Sequence, residues 1–96
     1  MKYCLGLLTT ELHFGNSQSL KDRRRIMNSL KERVRQRFNV SVFEGDFGDK
    51  WQRGELIVSC AAGSVTLVEQ SFRSVVALLE EDPRVMVISP QVRFYE

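Results

Sequence analysis

The stretch Ser19-Leu20-Lys21-Asp22-Arg23-Arg24-Arg25-Ile26-Met27-Asn28-Ser29-Leu30-Lys31-Glu32-Arg33-Val34-Arg35-Gln36-Arg37 lies between two apolar, strand-like segments. Its apolar residues Leu20, Ile26, Met27, Leu30 and Val34 recur at helical spacing and cluster within about a third of a turn, the stripe of a helix lying on a core. Ser19 is a good N-cap, and Asp22 resembles the acid of a capping box with a shorter side chain. The opposite side carries Lys21, Arg24, Asn28, Lys31 and Arg35, with Arg25 at its margin. At 1.5 Å per residue this is a cationic ridge about 20 Å long. Glu32 alone interrupts it. Arg23 and Arg37 project towards the apolar side and are expected to snorkel over the ends of the core.

Before this helix, residues 3–14 are apolar on both parities (Tyr3, Leu5, Leu7 against Cys4, Leu8, Leu12, Phe14), as in a central strand covered on two sides. After it, Phe38 to about Phe47 alternates as a half-buried strand. Gly48-Asp49-Lys50 is a turn signal, and a partner strand runs from about Gln52 to Ala62, completing a hairpin. Gly63-Ser64 opens a second helix from about Val65 to Glu81, with Val68, Phe72, Val75, Val76 and Leu79 at helical spacing. Its acidic end, Glu80-Glu81-Asp82, opposes the helix dipole, and Pro83 stops it. A last strand follows from about Val85 to Tyr95, where Pro90 predicts a sheet edge or a bulge.

The order β-α-β-β-α-β predicts an α+β fold, the ferredoxin-like sandwich: a four-stranded antiparallel sheet with both helices on one face. Residues 1–96 are expected to form a single domain, with no linker, repeat or low-complexity segment in the sequence. On the other, open face, alternation places Tyr3, Leu5, Leu7, Phe43, Ile57, Val85, Val87 and Tyr95. An apolar patch of that size predicts a binding surface, and homodimerisation through the sheet is its commonest explanation.

Charge narrows the function. Residues 20–37 hold eight of the fourteen Lys and Arg against two acids, a local +6 within a net +2. A concentrated positive field attracts polyanions. Lys21, Arg24, Arg25, Lys31 and Arg35 are each placed to neutralise a phosphate, with salt-sensitive and sequence-tolerant affinity. The plain alternative is a solvated helix face. Composition is that of an ordinary globular domain, 43% hydrophobic and 27% charged, and no apolar run approaches the roughly 20 residues of a membrane span. The opening apolar stretch is too short for a secretion signal, so a cytoplasmic location and no membrane contact are expected.

Chemistry is poorly represented. Cys4 and Cys60 sit in apolar strands without metal-ligand spacing and read as reduced core residues. Glu11, His13, Glu44, Asp46 and Asp49 flank the strand ends, but one His with scattered carboxylates makes a weak metal or acid–base cluster. Gly15-Asn16-Ser17 before the first helix suggests an anion site, with N-capping by Ser19 the simpler reading. The third strand, Arg53-Gly54-Glu55-Leu56-Ile57-Val58-Ser59-Cys60, shares Arg-Gly and Val58 with the RRM signature. Its stacking positions are Glu55, Ile57 and Cys60, so stacking of that kind is disfavoured. Trp51, the one tryptophan, is placed either to stack on a base or anchor a partner, or to fold back as a lid on the core. No catalytic group, metal site or cofactor is expected.

Four blocks resemble the YlxP-like family of small bacterial proteins: Glu11-Leu12-His13, Ser19-Leu20-Lys21-Asp22-Arg23-Arg24, Arg37-Phe38-Asn39-Val40-Ser41-Val42 and Asp49-Lys50-Trp51-Gln52-Arg53. The resemblance spans nearly the whole chain, with Gly54 standing where Ala is expected and Phe47-Gly48 at a hairpin position usually more polar. It implies a ferredoxin-like fold, no established enzymatic activity and, from the genetic setting of members beside translation genes, a ribosome-associated role. Together the readings predict a non-enzymatic factor that binds RNA or the ribosome through Lys21, Arg24, Arg25, Lys31 and Arg35, with a stacking or polar contribution from Trp51, Gln52 and Arg53. The alternative is a homo-oligomeric ligand-binding or protein-interaction module acting through the open sheet face.

Overall fold

In the computed structural model, which describes residues 2–45 and 50–95, the chain runs β1 (Cys4–His13), α1 (Leu20–Arg37), β2 (Ser41–Gly45), β3 (Arg53–Ala62), α2 (Val65–Glu80) and β4 (Met86–Tyr95). The strands form one antiparallel sheet in the order β2-β3-β1-β4, the ferredoxin-like arrangement. The two halves interleave: β3 lies between β1 and β2, and β1 between β3 and β4.

Both helices cover one face. Beneath them lie Cys4, Leu8 and Leu12 of β1, Leu56, Val58 and Cys60 of β3, and Val42 of β2. Ile26, Met27, Leu30 and Val34 reach that core from α1, and Val68, Phe72, Val75, Leu78 and Leu79 from α2. Both cysteines therefore act as small apolar core residues.

Serines start both helices by accepting backbone N–H groups that have no intrahelical partner: Ser19 Oγ from Asp22 at 3.1 Å, and Ser64 Oγ from Leu67 at 3.3 Å. The Asp22 carboxylate returns to the N–H of Gln18 rather than to the cap residue itself. At the other end of α1, Phe38 is extended and its N–H closes on Val34 O. The helix thus turns straight into the approach to β2, which begins at Ser41 rather than Phe38. The expected turn at Gly48-Asp49-Lys50 lies, except for Lys50, outside the described residues, as do Asp46 and Phe47.

Tyr3, Leu5, Leu7, Phe43, Ile57 and Tyr95 occupy the open face, as alternation predicts. Val85 and Val87 do not. Val87 pairs with the buried Leu12, and both valines pack against the core. The cause is a register shift between Thr9 and Glu11, opposite Ser89 and Pro90, with Ser89 at φ 48. One extra residue reverses the parity of the strand before it, so Met86 and Ile88 take the open face opposite His13 and Glu11. Pro90 accordingly marks both an edge strand and a bulge.

Candidate nucleic-acid interface

The basic residues of α1 are not gathered on one face. Arg23 falls on the apolar side, in line with Met27, Leu30 and Val34. It does not snorkel: it is buried, 7% exposed. Its Nη1 donates to Lys50 O at 2.8 Å and to Arg53 O at 3.2 Å, so the helix holds the entry to β3 through two main-chain carbonyls. Its Nε is buried and has no hydrogen-bond partner among the described residues.

A second group faces β2. Lys31 Nζ lies 3.2 Å from Glu44 Oε1 in a largely enclosed ion pair, and Arg35 Nη2 donates to Val42 O at 3.3 Å. Arg33 turns the other way, towards Asp82 at 3.4 Å. Lys31 and Arg35 thus fasten the helix over the sheet's edge strand, and the expected continuous ridge is interrupted at both positions.

The third group is Lys21, Arg24 and Arg25 in the first half of α1. All three are exposed, and among the described residues no ion pair or side-chain hydrogen bond engages them. In sequence they flank Arg23, which secures the Lys50–Arg53 segment. Lys50, Trp51 and Gln52 precede β3, and with His13 and Arg53 they line a shallow depression of about 370 Å³. Further bonds tie this segment to the loop before α1: Phe14 N–H donates to Gln52 O at 2.8 Å, and Gln52 Nε2 to Ser17 O at 3.5 Å. Trp51 is 53% exposed and is not a lid on the core. Arg53 pairs with Glu11 across the open face.

The alternative chemistry dissolves in this geometry. Glu44 is turned under α1 to Lys31, whereas Glu11 is on the opposite face of the sheet with Arg53; Asp46 and Asp49 lie outside the described residues. Among the described residues no three His, Cys, Asp or Glu side chains gather where a metal ion would be held. At the start of α1, Ser19 and Asp22 already accept the Asp22 and Gln18 N–H groups, and Asp22 adds negative charge. That arrangement caps a helix and does not favour an anion.

The family model described as a protein of unknown function, DUF503, matches residues 5–92. The chain belongs to the DUF503 family. A curated relative, the uncharacterized protein YlxP of Bacillus subtilis strain 168, is 27% identical over 81 residues, 84% of this chain and 88% of that protein. Among solved structures, the de novo designed protein Foldit4 superposes with a TM-score of 0.54 over 99% of this chain and 98% of its own, at 14% identity. That likeness concerns the fold alone. This DUF503 chain has no helix, among the described residues, long and apolar enough to cross a membrane.

Lys50 and Arg23 are absent from the residues that the charge pattern nominated. Arg23 was legible in principle, since it continues the Met27, Leu30, Val34 stripe one turn towards the N-terminus. Lys50 had no local signal; it meets α1, through Arg23 and its own carbonyl, only in the fold.

Proposed function

We propose that this protein is a non-enzymatic RNA- or ribosome-associated factor of the cytoplasm that binds the phosphate backbone at one end of the molecule. Lys21, Arg24 and Arg25 supply the phosphate contacts together with Lys50, and Trp51 offers a ring on which an unpaired base stacks. One observation carries the reading: three cations in the first half of α1 stand exposed and without ionic partners among the described residues, while Arg23 between them holds the segment that carries the exposed Trp51. Cations that serve only the fold are treated differently in this chain: Arg23, Lys31 and Arg33 reach a carbonyl or carboxylate of another segment.

The test is a salt titration of binding to ribosomal subunits and to generic single-stranded RNA. Each phosphate contact contributes about −0.7 to the slope of log affinity against log salt for a single strand, so three or four contacts give roughly −2 to −3. Lys21→Glu with Arg24→Glu abolishes binding and leaves thermal unfolding unchanged, whereas Lys31→Glu lowers stability and spares affinity. Equal affinity in the Lys21/Arg24 variant and the parent sinks the proposal.

A further inference from the structure

β4 is an edge strand built like an interior one. Every residue from Ser89 to Tyr95 is exposed, yet apolar groups occur on both faces. Val92 and Phe94, opposite Leu8 and Gly6, lie on the helix side, and Tyr95, opposite Leu5, lies on the open side. The bulge and Pro90 blunt the first half of the strand, as edge strands commonly are blunted. Between Pro90 and Tyr95 the single charge is Arg93. Alongside, a groove of about 630 Å³ runs between α2 and β4, floored by Leu8, Phe72 and Val76 and walled by Pro90, Val92 and Phe94. A strand that is apolar on two faces belongs inside a sheet.

We propose that a second copy of this chain covers this edge, β4 pairing antiparallel with β4 of the other copy about a two-fold axis through Val92 to give a continuous eight-stranded sheet. Parity and charge select that axis. Residues directly opposite in a sheet share a face, so the axis passes through a residue position rather than between two. An axis at Arg93 sets two guanidinium groups against each other, and like charges directly opposite are destabilising. An axis at Phe94 leaves three residues paired, and one at Gln91 sets Pro90 of both bulges directly beside the axis, whereas one at Val92 keeps them towards the ends of the pairing. The axis at Val92 sets Val92 against Val92, Phe94 against Pro90 and Arg93 against the Gln91 amide. On the helix side the two grooves then merge into one apolar seam between the α2 helices.

The extent of the contact sets its strength. Residues 89–95 with the α2 rim of Glu69, Arg73, Val76, Ala77 and Glu80 make about a dozen residues per copy, against the roughly 20–30 of a standard interface. The dimer is therefore reversible and concentration-dependent. This differs from dimerisation through the centre of the open face, in which Phe43 on the far edge strand would be buried.

Sedimentation velocity on the full chain over a concentration series tests the proposal. The parent converts from monomer to dimer with rising concentration. Val92→Lys and Val92→Glu, at a position 41% exposed and so tolerant of charge, each weaken the dimer by about tenfold or more, since each charge meets its own copy on the axis. An equimolar mixture of the two restores it, because Lys then faces Glu; loss of folding would not be rescued in this way. Phe43→Ser leaves association unchanged. A parent that stays monomeric throughout, a Val92→Lys variant that associates like the parent, a mixture without rescue, or dissociation by Phe43→Ser overturns the proposal.

Discussion

At the scale of single residues, two positions show how closely the helices are set on the sheet. Gly6 lies on the covered face of β1, where a Cβ would overlap Val68 Cγ1 and come within 2.8 Å of Phe72 Cε2. Absence of a side chain lets α2 approach the middle of the sheet. Gly6→Ala forces α2 outwards or its side chains off their rotamers, a cost of about 1–3 kcal/mol. In a domain of this size each kcal/mol lowers the melting temperature by roughly 4–8 °C, so thermal unfolding followed by circular dichroism reads the effect directly. Gly54 does the same under α1, where a Cβ would stand 2.9 Å from Met27 Cε and 3.0 Å from Phe14 Cε2. This is the position at which the family resemblance predicts Ala, and here Met27 and Phe14 take the space. Arg23 is the polar counterpart: a buried cation kept for its two bonds to the carbonyls of Lys50 and Arg53.

Among the elements, α1 and β4 depart from what their own sequences suggest, for different reasons. The helix boundaries Leu20–Arg37 and the core stripe were legible because spacing and capping are local properties. The use of each basic residue was not, because Lys31 and Arg35 meet Glu44 and Val42 only once β2 lies beneath them. In β4 the presence of Pro90 announced a sheet edge or a bulge, but not that the residues before it would exchange faces. The exchange rests on Ser89 at φ 48, a left-handed conformation that a β-branched residue tolerates poorly. Ser89→Val is expected to destabilise the protein by about 1–2 kcal/mol, the cost of that conformation for a residue with a crowded Cβ. Ser89→Gly should unfold at or above the temperature of the parent, since Gly adopts positive φ freely. A lower midpoint for the Gly variant would show that the Ser89 side chain, not the backbone, holds the bulge.

For the whole molecule, one carboxylate joins segments that are distant in the chain. Asp82 follows α2 and reads as an acid opposing the helix dipole. In the fold its side chain is enclosed, 2% exposed, and holds Arg84 at 2.7 Å and Arg33 of α1 at 3.4 Å. Arg84 Nη2 also reaches Ser29 Oγ at 3.4 Å, so the start of β4 is tied to α1. The hydrogen bonds from Arg84 hold the Asp82 carboxyl below its ordinary value, outweighing the opposing effect of burial, and Asp82 in turn raises the Arg84 guanidinium. A folded-state value below the unfolded one stabilises the protein fully above the ordinary carboxylate value of about 3.9, and the contribution is lost as pH falls through the folded value. Urea unfolding measured from neutral pH down to about pH 3 should therefore show a loss that Asp82→Asn largely abolishes. At neutral pH the same variant should be less stable by about 1–3 kcal/mol, towards the lower end because both arginines remain partly in water.

The order of elements, the limits of both helices, the hairpin and the covered face of β1 and β3 follow from hydrophobic period, caps and turn residues, which act over a few neighbours. These determined the ferredoxin-like fold before any contact was known. The tertiary structure alone decided the allocation of charge. Lys21, Arg24 and Arg25 remain in solvent, Lys31 and Arg35 hold β2, Arg33 serves Asp82, and Arg23 is drawn inside by two carbonyls some thirty residues away. A helical wheel assigns direction, but not what lies in that direction. The partners of a long cation are set by packing, where desolvation and hydrogen-bond geometry act between residues that the sequence holds far apart.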